Sequence, residues 1–231
     1  MIATRSAGSG ASFVLIFDCN GVLVDSEALA ATVASQELTR AGFKVSPDIL
    51  ARFFAGRRPS DMISDIEAAT KRKLPADFGE TLAATTMRRL RAELRATPHI
   101  GHALTWLRGP KCVASSSPHN RIRMSLESTD LFRFFDPHVF SASDVPNGKP
   151  APDLFHHAAR KMGVKPSDCI VIEDSPAGVS AATAAGMTAI GFIGGTHTGA
   201  NLGAYLTAAG ARTVIADMRA LKSAVVALRG W

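Results

Sequence analysis

The feature that most constrains this chain is a run of apolar residues, Phe13-Val14-Leu15-Ile16-Phe17, that stops abruptly at Asp18-Cys19-Asn20-Gly21. An unbroken apolar and β-branched run of this length reads as a strand buried on both faces, the kind found inside a parallel sheet. A carboxylate at the C-terminal end of such a strand cannot sink into the core, because an unpaired buried charge costs too much. It must meet solvent, a cation or a ligand, and in open α/β sheets ligands bind at that edge. Asp18 is therefore the first candidate for chemistry.

The 231 residues suffice for one large α/β domain or a core with a smaller insert. The chain is 46% hydrophobic and 20% charged, the balance of a soluble globular protein. No apolar run approaches the ~20 residues of a membrane-spanning helix. Residues 1–10 lack the apolar stretch of a signal peptide and read as a loose tail, so a cytoplasmic location is expected. Cys19, Cys112 and Cys169 are scattered without metal-ligand spacing, and Cys112 and Cys169 fall in apparent strands as buried apolar residues. The net charge of +6 would suit an anionic partner. Its short clusters, Lys71-Arg72-Lys73 and Arg88-Arg89-Leu90-Arg91, are interleaved with acids on apparent helices. They read as solvated helix faces, and a small phosphorylated metabolite is expected rather than nucleic acid or a membrane.

Along the chain, residues from about 26 to 98 read as helix after helix. Ser26 opens one through residue 38, Ser46-Pro47-Asp48 and Pro59-Ser60-Asp61 open two more, and 77–95 carries apolar residues at helical spacing. From Gly101 the pattern alternates. Strands are expected at 111–114, 138–141, 169–172, 188–192 and 213–216, with helices at 103–107, from 118 to about 128, and at 152–162, 175–185 and 218–228. Alternating strands and helices imply an α/β fold with a parallel sheet. The division expected is a Rossmann-like core of 1–24 and 99–231, and an all-helical cap of 25–98 inserted after the first strand.

In a parallel sheet every strand delivers its C-terminal end to one edge. Here that edge collects Asp18 and Asn20, Ser115 and Ser116, and Glu173 and Asp174, with Lys149 on a loop between two of the strands. Carboxylates, hydroxyls and one ammonium together suit a divalent cation and an oxyanion. Oxygen donors with no His or Cys nearby favour Mg²⁺. Singly, each residue has a plainer reading: Ser117 and Ser175 precede prolines as helix caps, and Lys149 is a solvated loop lysine.

These four stretches, in this order, resemble the motifs of the haloacid dehalogenase superfamily, in its branch of capped phosphatases and phosphoglucomutases. Asp18-Cys19-Asn20-Gly21-Val22-Leu23-Val24-Asp25-Ser26 is similar to the first and Val113-Ala114-Ser115-Ser116 to the second. Lys149-Pro150 with Pro152-Asp153 is similar to the third, and Val171-Ile172-Glu173-Asp174-Ser175 with Ala177-Gly178 and Ala181-Ala182 to the fourth. The resemblance implies that Asp18 attacks phosphorus to form an aspartyl-phosphate. It implies Mg²⁺ held by Asp18, Asp174 and the backbone carbonyl of Asn20, with Glu173 as a further ligand or as an acceptor behind the ligands. Ser115, with Ser116 beside it, would hold the phosphate, and Lys149 would neutralise the charge shared with Asp18.

One position departs from the pattern. Phosphatases of this superfamily usually carry a second aspartate two residues after the nucleophile, as general acid and base, and here it is Asn20. An amide cannot exchange a proton at neutral pH, so binding with poor turnover is expected. Three explanations are ranked: an introduced substitution in a normal phosphatase, a natural loss of catalysis with binding kept, or a different reaction such as dehalogenation. Retention of Glu173-Asp174 argues against the third, because dehalogenation needs no Mg²⁺.

The cap should set specificity. Gly56-Arg57-Arg58-Pro59 sits at a helix–helix turn where similar proteins present a glycine-arginine pair, so Arg57 or Arg58 could grip a carboxylate or sugar hydroxyls. Phosphoglucomutases carry a histidine twelve residues after the nucleophile; here it is Ala30, which weakens an isomerase reading. The expected function is a Mg²⁺-dependent phosphomonoesterase for a sugar phosphate or sugar-acid phosphate, impaired by Asn20. The alternatives are a β-phosphoglucomutase-like isomerase and a catalytically silent phosphate-binding protein. His197 reads as a loop residue near the site mouth.

Overall fold

The computed structural model describes residues 13–196 and 199–229. The N-terminal tail and His197 lie outside the described residues. Six strands form one parallel sheet in the order β3-β2-β1-β4-β5-β6. They are β1 (Val14–Phe17), β2 (Lys111–Ser115), β3 (Val139–Ser141), β4 (Cys169–Glu173), β5 (Thr188–Phe192) and β6 (Thr213–Ile215). β1 sits in the middle, pairing β2 through Ile16 and Cys112 and β4 through Phe17 and Ile172. All four of its residues are buried. Asp18 follows immediately, its backbone N–H still bonded to the Ile172 carbonyl at 3.0 Å.

Alternation along β1 divides the core into two layers. Leu15 and Phe17 pack with α5 (Ile100–Trp106), α6 (His119–Ser128) and α10 (Leu221–Arg229). Val14 and Ile16 pack with α7 (Asp153–Lys161), α8 (Pro176–Ala184) and α9 (Leu202–Ala208). The three cysteines are buried here. Burial pushes the Cys169 thiol up to about 11, and those of Cys19 and Cys112 higher still.

Between β1 and α5 come α1 (Glu27–Arg40), α2 (Pro47–Phe54), α3 (Pro59–Thr70) and α4 (Phe78–Glu93). They share a separate cluster built on Val33, Leu38, Phe43, Leu50, Ile66 and Leu82. Ser46 caps α2 by accepting from the Ile49 N–H, with Pro47 behind it. Ser26 makes no such bond at α1. The segments entering and leaving this helical layer meet at the bridge between Val24 and Ala96. No described helix is long and apolar enough to cross a membrane.

Every strand expected from the sequence is present, β3 starting one residue later than expected. The last expected helix begins as a 3₁₀ turn, Met218–Ala220, before α10. α9 was not expected. Its signal, Leu202, Tyr205 and Leu206 at helical spacing, is short and carries Gly203 within it.

Candidate active site

The carboxyl edge of the sheet gathers Asp18, Lys149, Glu173 and Asp174, which are 2%, 1%, 0% and 2% exposed. Lys149 lies on the loop between β3 and α7. That loop is tied down by Asp153, whose carboxylate accepts from the Asn147 side chain at 2.9 Å and the Asn147 N–H at 3.3 Å, and by a turn from the Ala151 N–H to the Gly148 carbonyl. The Lys149 ammonium has three donors, and all three are engaged. It donates to Asp18 Oδ1, to Glu173 Oε1 at 2.6 Å and to the Ala114 carbonyl at 3.2 Å, with the Phe155 ring 5.2 Å away. One side chain thus ties together the ends of β1, β2 and β4.

Glu173 is fully engaged as well. Its Oε2 accepts from the Ser175 N–H and hydroxyl, both at 2.9 Å, and the Ser175 hydroxyl in turn caps α8 by accepting from the Gly178 N–H at 3.0 Å. Glycine is required at 178: a Cβ there would lie 1.8 Å from Glu173 Oε1. Ser175 is thus the cap expected of it. Ser117 is not, and that expectation is corrected here. It makes no capping bond to α6, and its hydroxyl accepts instead from the Asn20 amide at 2.8 Å. The reason is that Pro118 puts the helix start one residue further on, leaving Ser117 at the strand edge beside Asn20. The Asn20 side-chain oxygen, Oδ1, is buried with no hydrogen-bond partner among the described residues.

Among the described residues three buried carboxylates, Asp18, Glu173 and Asp174, lie near one ammonium, which pairs with the first two. Burial holds the Asp18 carboxyl well above the usual carboxylate range, Lys149 opposes this, and Glu173 and Asp174 add to it. Burial works to strip Lys149 of its proton, but Asp18 and Glu173 outweigh it and keep the ammonium charged. A divalent cation would add positive charge to this carboxylate-rich edge, and the donors on offer are all oxygens. That is the donor set of Mg²⁺, which keeps several waters and takes one or two carboxylates, in contrast to an all-protein cage.

Above this edge lies a cavity of about 270 Å³ roofed by the helical layer. Asp18, Asn20 and Ser116 reach its wall, as do Arg57 and Arg58, while Ser115, Lys149, Glu173 and Asp174 stand behind it. Ser115 is fully buried and accepts from the Ser117 N–H at 3.2 Å. The Ser116 hydroxyl donates to the Gly56 carbonyl at 2.6 Å. Gly56 itself has φ +75°, and a Cβ there would lie 2.1 Å from the Ser175 hydroxyl. The roof's turn therefore rests directly on two strand tips.

The two arginines of that turn behave differently. Arg58 reaches into the core and donates to the carbonyls of Ala142, Val145 at 2.8 Å and Pro146 at 3.0 Å, on the way into the Lys149 loop. With its guanidinium committed to three carbonyls, it holds the helical layer to the core and is a poor candidate for gripping substrate. Arg57 pairs with Asp65 at 2.7 Å in a partly exposed position. Sequence reasoning missed Arg121. On the first turn of α6 it lines the cavity half-buried, with no ion pair and an unpartnered Nε among the described residues. Its position three residues after Pro118, on the turn that follows a strand tip, is the signal that could have found it.

A parallel sheet whose middle strand ends in a lysine-held carboxylate, beneath a helical roof, is an α/β protein with a charged site at the sheet's carboxyl edge. Residues 14–186 match the haloacid dehalogenase-like hydrolase family, and the chain belongs to it. It is 30% identical over 186 residues to 6-phosphogluconate phosphatase of Escherichia coli K12, covering 79% of this chain and 83% of that one. A conserved haloacid dehalogenase-like protein of Agrobacterium tumefaciens C58 superposes with a TM-score of 0.82 at 37% identity, over 95% of this chain and all of that one. A haloacid dehalogenase family hydrolase from Deinococcus radiodurans, solved with phosphate and sodium bound, gives 0.73 at 29% identity, over 93% and 95%.

Proposed function

We propose that the chain is a phosphomonoester hydrolase in which Asp18 attacks phosphorus and carries the phosphoryl group as an aspartyl-phosphate. The observation that carries the reading is the Asp18–Lys149–Glu173 array. A lysine fixed by three acceptors holds the nucleophile in one position and keeps a positive charge beside it, where charge shifts during transfer. Glu173 acts by holding Lys149. Ser115 and Ser116, with the N–H groups opening α6, take the phosphate oxygens. Asp18, Asp174 and the backbone carbonyl of Asn20 would hold Mg²⁺, whose charge lets a carboxylate and a phosphate approach each other. The roof excludes bulk water while the phosphoryl group passes to Asp18 and the alcohol leaves; water then attacks the aspartyl-phosphate, releasing inorganic phosphate and freeing the Asp18 carboxylate.

A phosphorylated carbohydrate or sugar acid is the substrate class that the named Escherichia coli relative supports. Asn20 leaves the leaving oxygen without a proton donor. Its bond to Ser117 survives a change to aspartate with the hydroxyl reversed, donating instead of accepting. Asn20→Asp should then raise phosphate release from a panel of sugar phosphates with Mg²⁺ by about two to four orders of magnitude. A variant that binds phosphate yet releases none would make this a binding protein. One that neither binds nor turns over would end the phosphate reading.

A further inference from the structure

The two sides of the cavity differ in chemistry. The core side presents Asp18, Asn20, Ser116, Ser117 and Arg121. The roof side presents Ala34 of α1, Leu50 and Phe54 of α2, Met62 of α3, and Leu82 and Met87 of α4. The room between them exists because α1 turns small side chains toward it: Ala30 and Ala34, one turn apart, share a face. Polar groups on the roof are few. Glu27 stands on the first turn of α1, Thr86 is the polar residue on the α4 side, Arg57 is paired with Asp65, and Arg58 is committed to core carbonyls.

A carbohydrate next to the phosphate meets the polar strand tips, but a skeleton that carries its hydroxyls on to the roof fits this cavity poorly. Hydroxyls lying against α1, α2 and α4 would give up water and find almost no replacement partner. An apolar group in the same place gives up nothing and covers the roof's side chains. We propose that the substrate's leaving group is amphipathic, with a polar segment next to the phosphate against the strand tips and an apolar alkyl or aromatic end seated against α1, α2 and α4. This rests on the phosphomonoester reading above and narrows the leaving group that the site takes.

Calorimetric titration of the unmodified chain with Mg²⁺ tests it without turnover. Inorganic phosphate is the reference, n-alkyl phosphates from methyl to octyl form the series, and glucose 6-phosphate is paired with phenyl β-D-glucoside 6-phosphate. Affinity should climb about two- to fourfold per methylene until the cavity is full, as burial of a CH₂ group predicts. The phenyl glucoside should bind about tenfold or more tightly than its parent sugar phosphate, since it buries a ring. Ala30→Leu should bring the plateau to a shorter chain, and Met87→Gln should flatten the climb. Phosphate binding with a flat series, or glucose 6-phosphate binding more tightly than both the alkyl and phenyl esters, overturns the proposal. So does an unchanged plateau in Ala30→Leu. If neither phosphate nor any ester binds, the phosphate site itself has failed, a result distinct from a flat series.

Discussion

The strand tips and the helical roof enclose one cavity from opposite sides and are built on opposite physics. At the tips, four ionisable side chains are almost wholly removed from water, and three of them, Asp18, Lys149 and Glu173, are locked by hydrogen bonds with no free donor on Lys149. The roof meets the cavity with alanine, leucine, methionine and phenylalanine, and its polar grip on the core is concentrated in Arg58 and the Ser116–Gly56 bond. Charge in a dry setting is costly to rearrange, so the tips suit a reaction that must be the same for every substrate. Apolar contacts are non-directional and impose no fixed hydrogen-bond pattern, so the roof suits the part that decides which substrate enters.

The sharpest way to break this contrast is Lys149→Met, which strips the tips of their one cation. It leaves the Asp18 and Glu173 carboxylates buried and uncompensated, and about 3–5 kcal/mol of stability should go, read by urea unfolding. A loss under about 1 kcal/mol would mean that the array is less dry than its burial indicates. Gly178→Ala tests the same rigidity without touching charge. Its methyl must displace the Glu173 carboxylate or the start of α8, for about 1–3 kcal/mol, with a fall in phosphate affinity if Glu173 places Lys149.

On the roof side, Arg58→Ala removes a charged donor from three carbonyls, an effect of about 1.5–3 kcal/mol on the closed arrangement. Hydrogen exchange should quicken in α2, α3 and the 142–148 loop while β1 and β4 stay protected. Exchange rising equally in those strands would contradict a separable roof. The smallest effect belongs to Asp144, which pairs with His119 at 2.8 Å and accepts from the Ser141 N–H. Partial burial pulls its carboxyl up, but the His119 and Ser141 bonds outweigh that and hold it below the usual range. A lowered folded value means stability present above the unfolded pKa and lost as the pH falls through the folded one. Asp144→Asn should thus cost about 0.5 kcal/mol near neutrality, and the gap to the parent should close below about pH 4.

The sheet and the polar edge it presents were legible because each strand near the site is an apolar run that ends in a polar residue, a pattern local to a few positions. What the sequence hid depends on distant partners. Ser117 reads locally as a cap, and only the fold brings it to Asn20, 97 positions away. Arg58 reads as a substrate grip because its turn carries the right residues, yet the carbonyls that claim it lie more than 80 positions downstream. Arg121 reads as one more surface arginine of a helix, since nothing in 119–128 tells which face turns back toward the edge. α9 was hidden for a local reason, its seven residues and internal glycine giving periodicity too little length to show.

The Ser116 hydroxyl, donated to the backbone of Gly56, fastens the turn between α2 and α3 to the tip of β2. On the phosphate reading proposed above, an anion at that tip would compete with the carbonyl for the same proton, so that loading the site would undo one of its own fastenings.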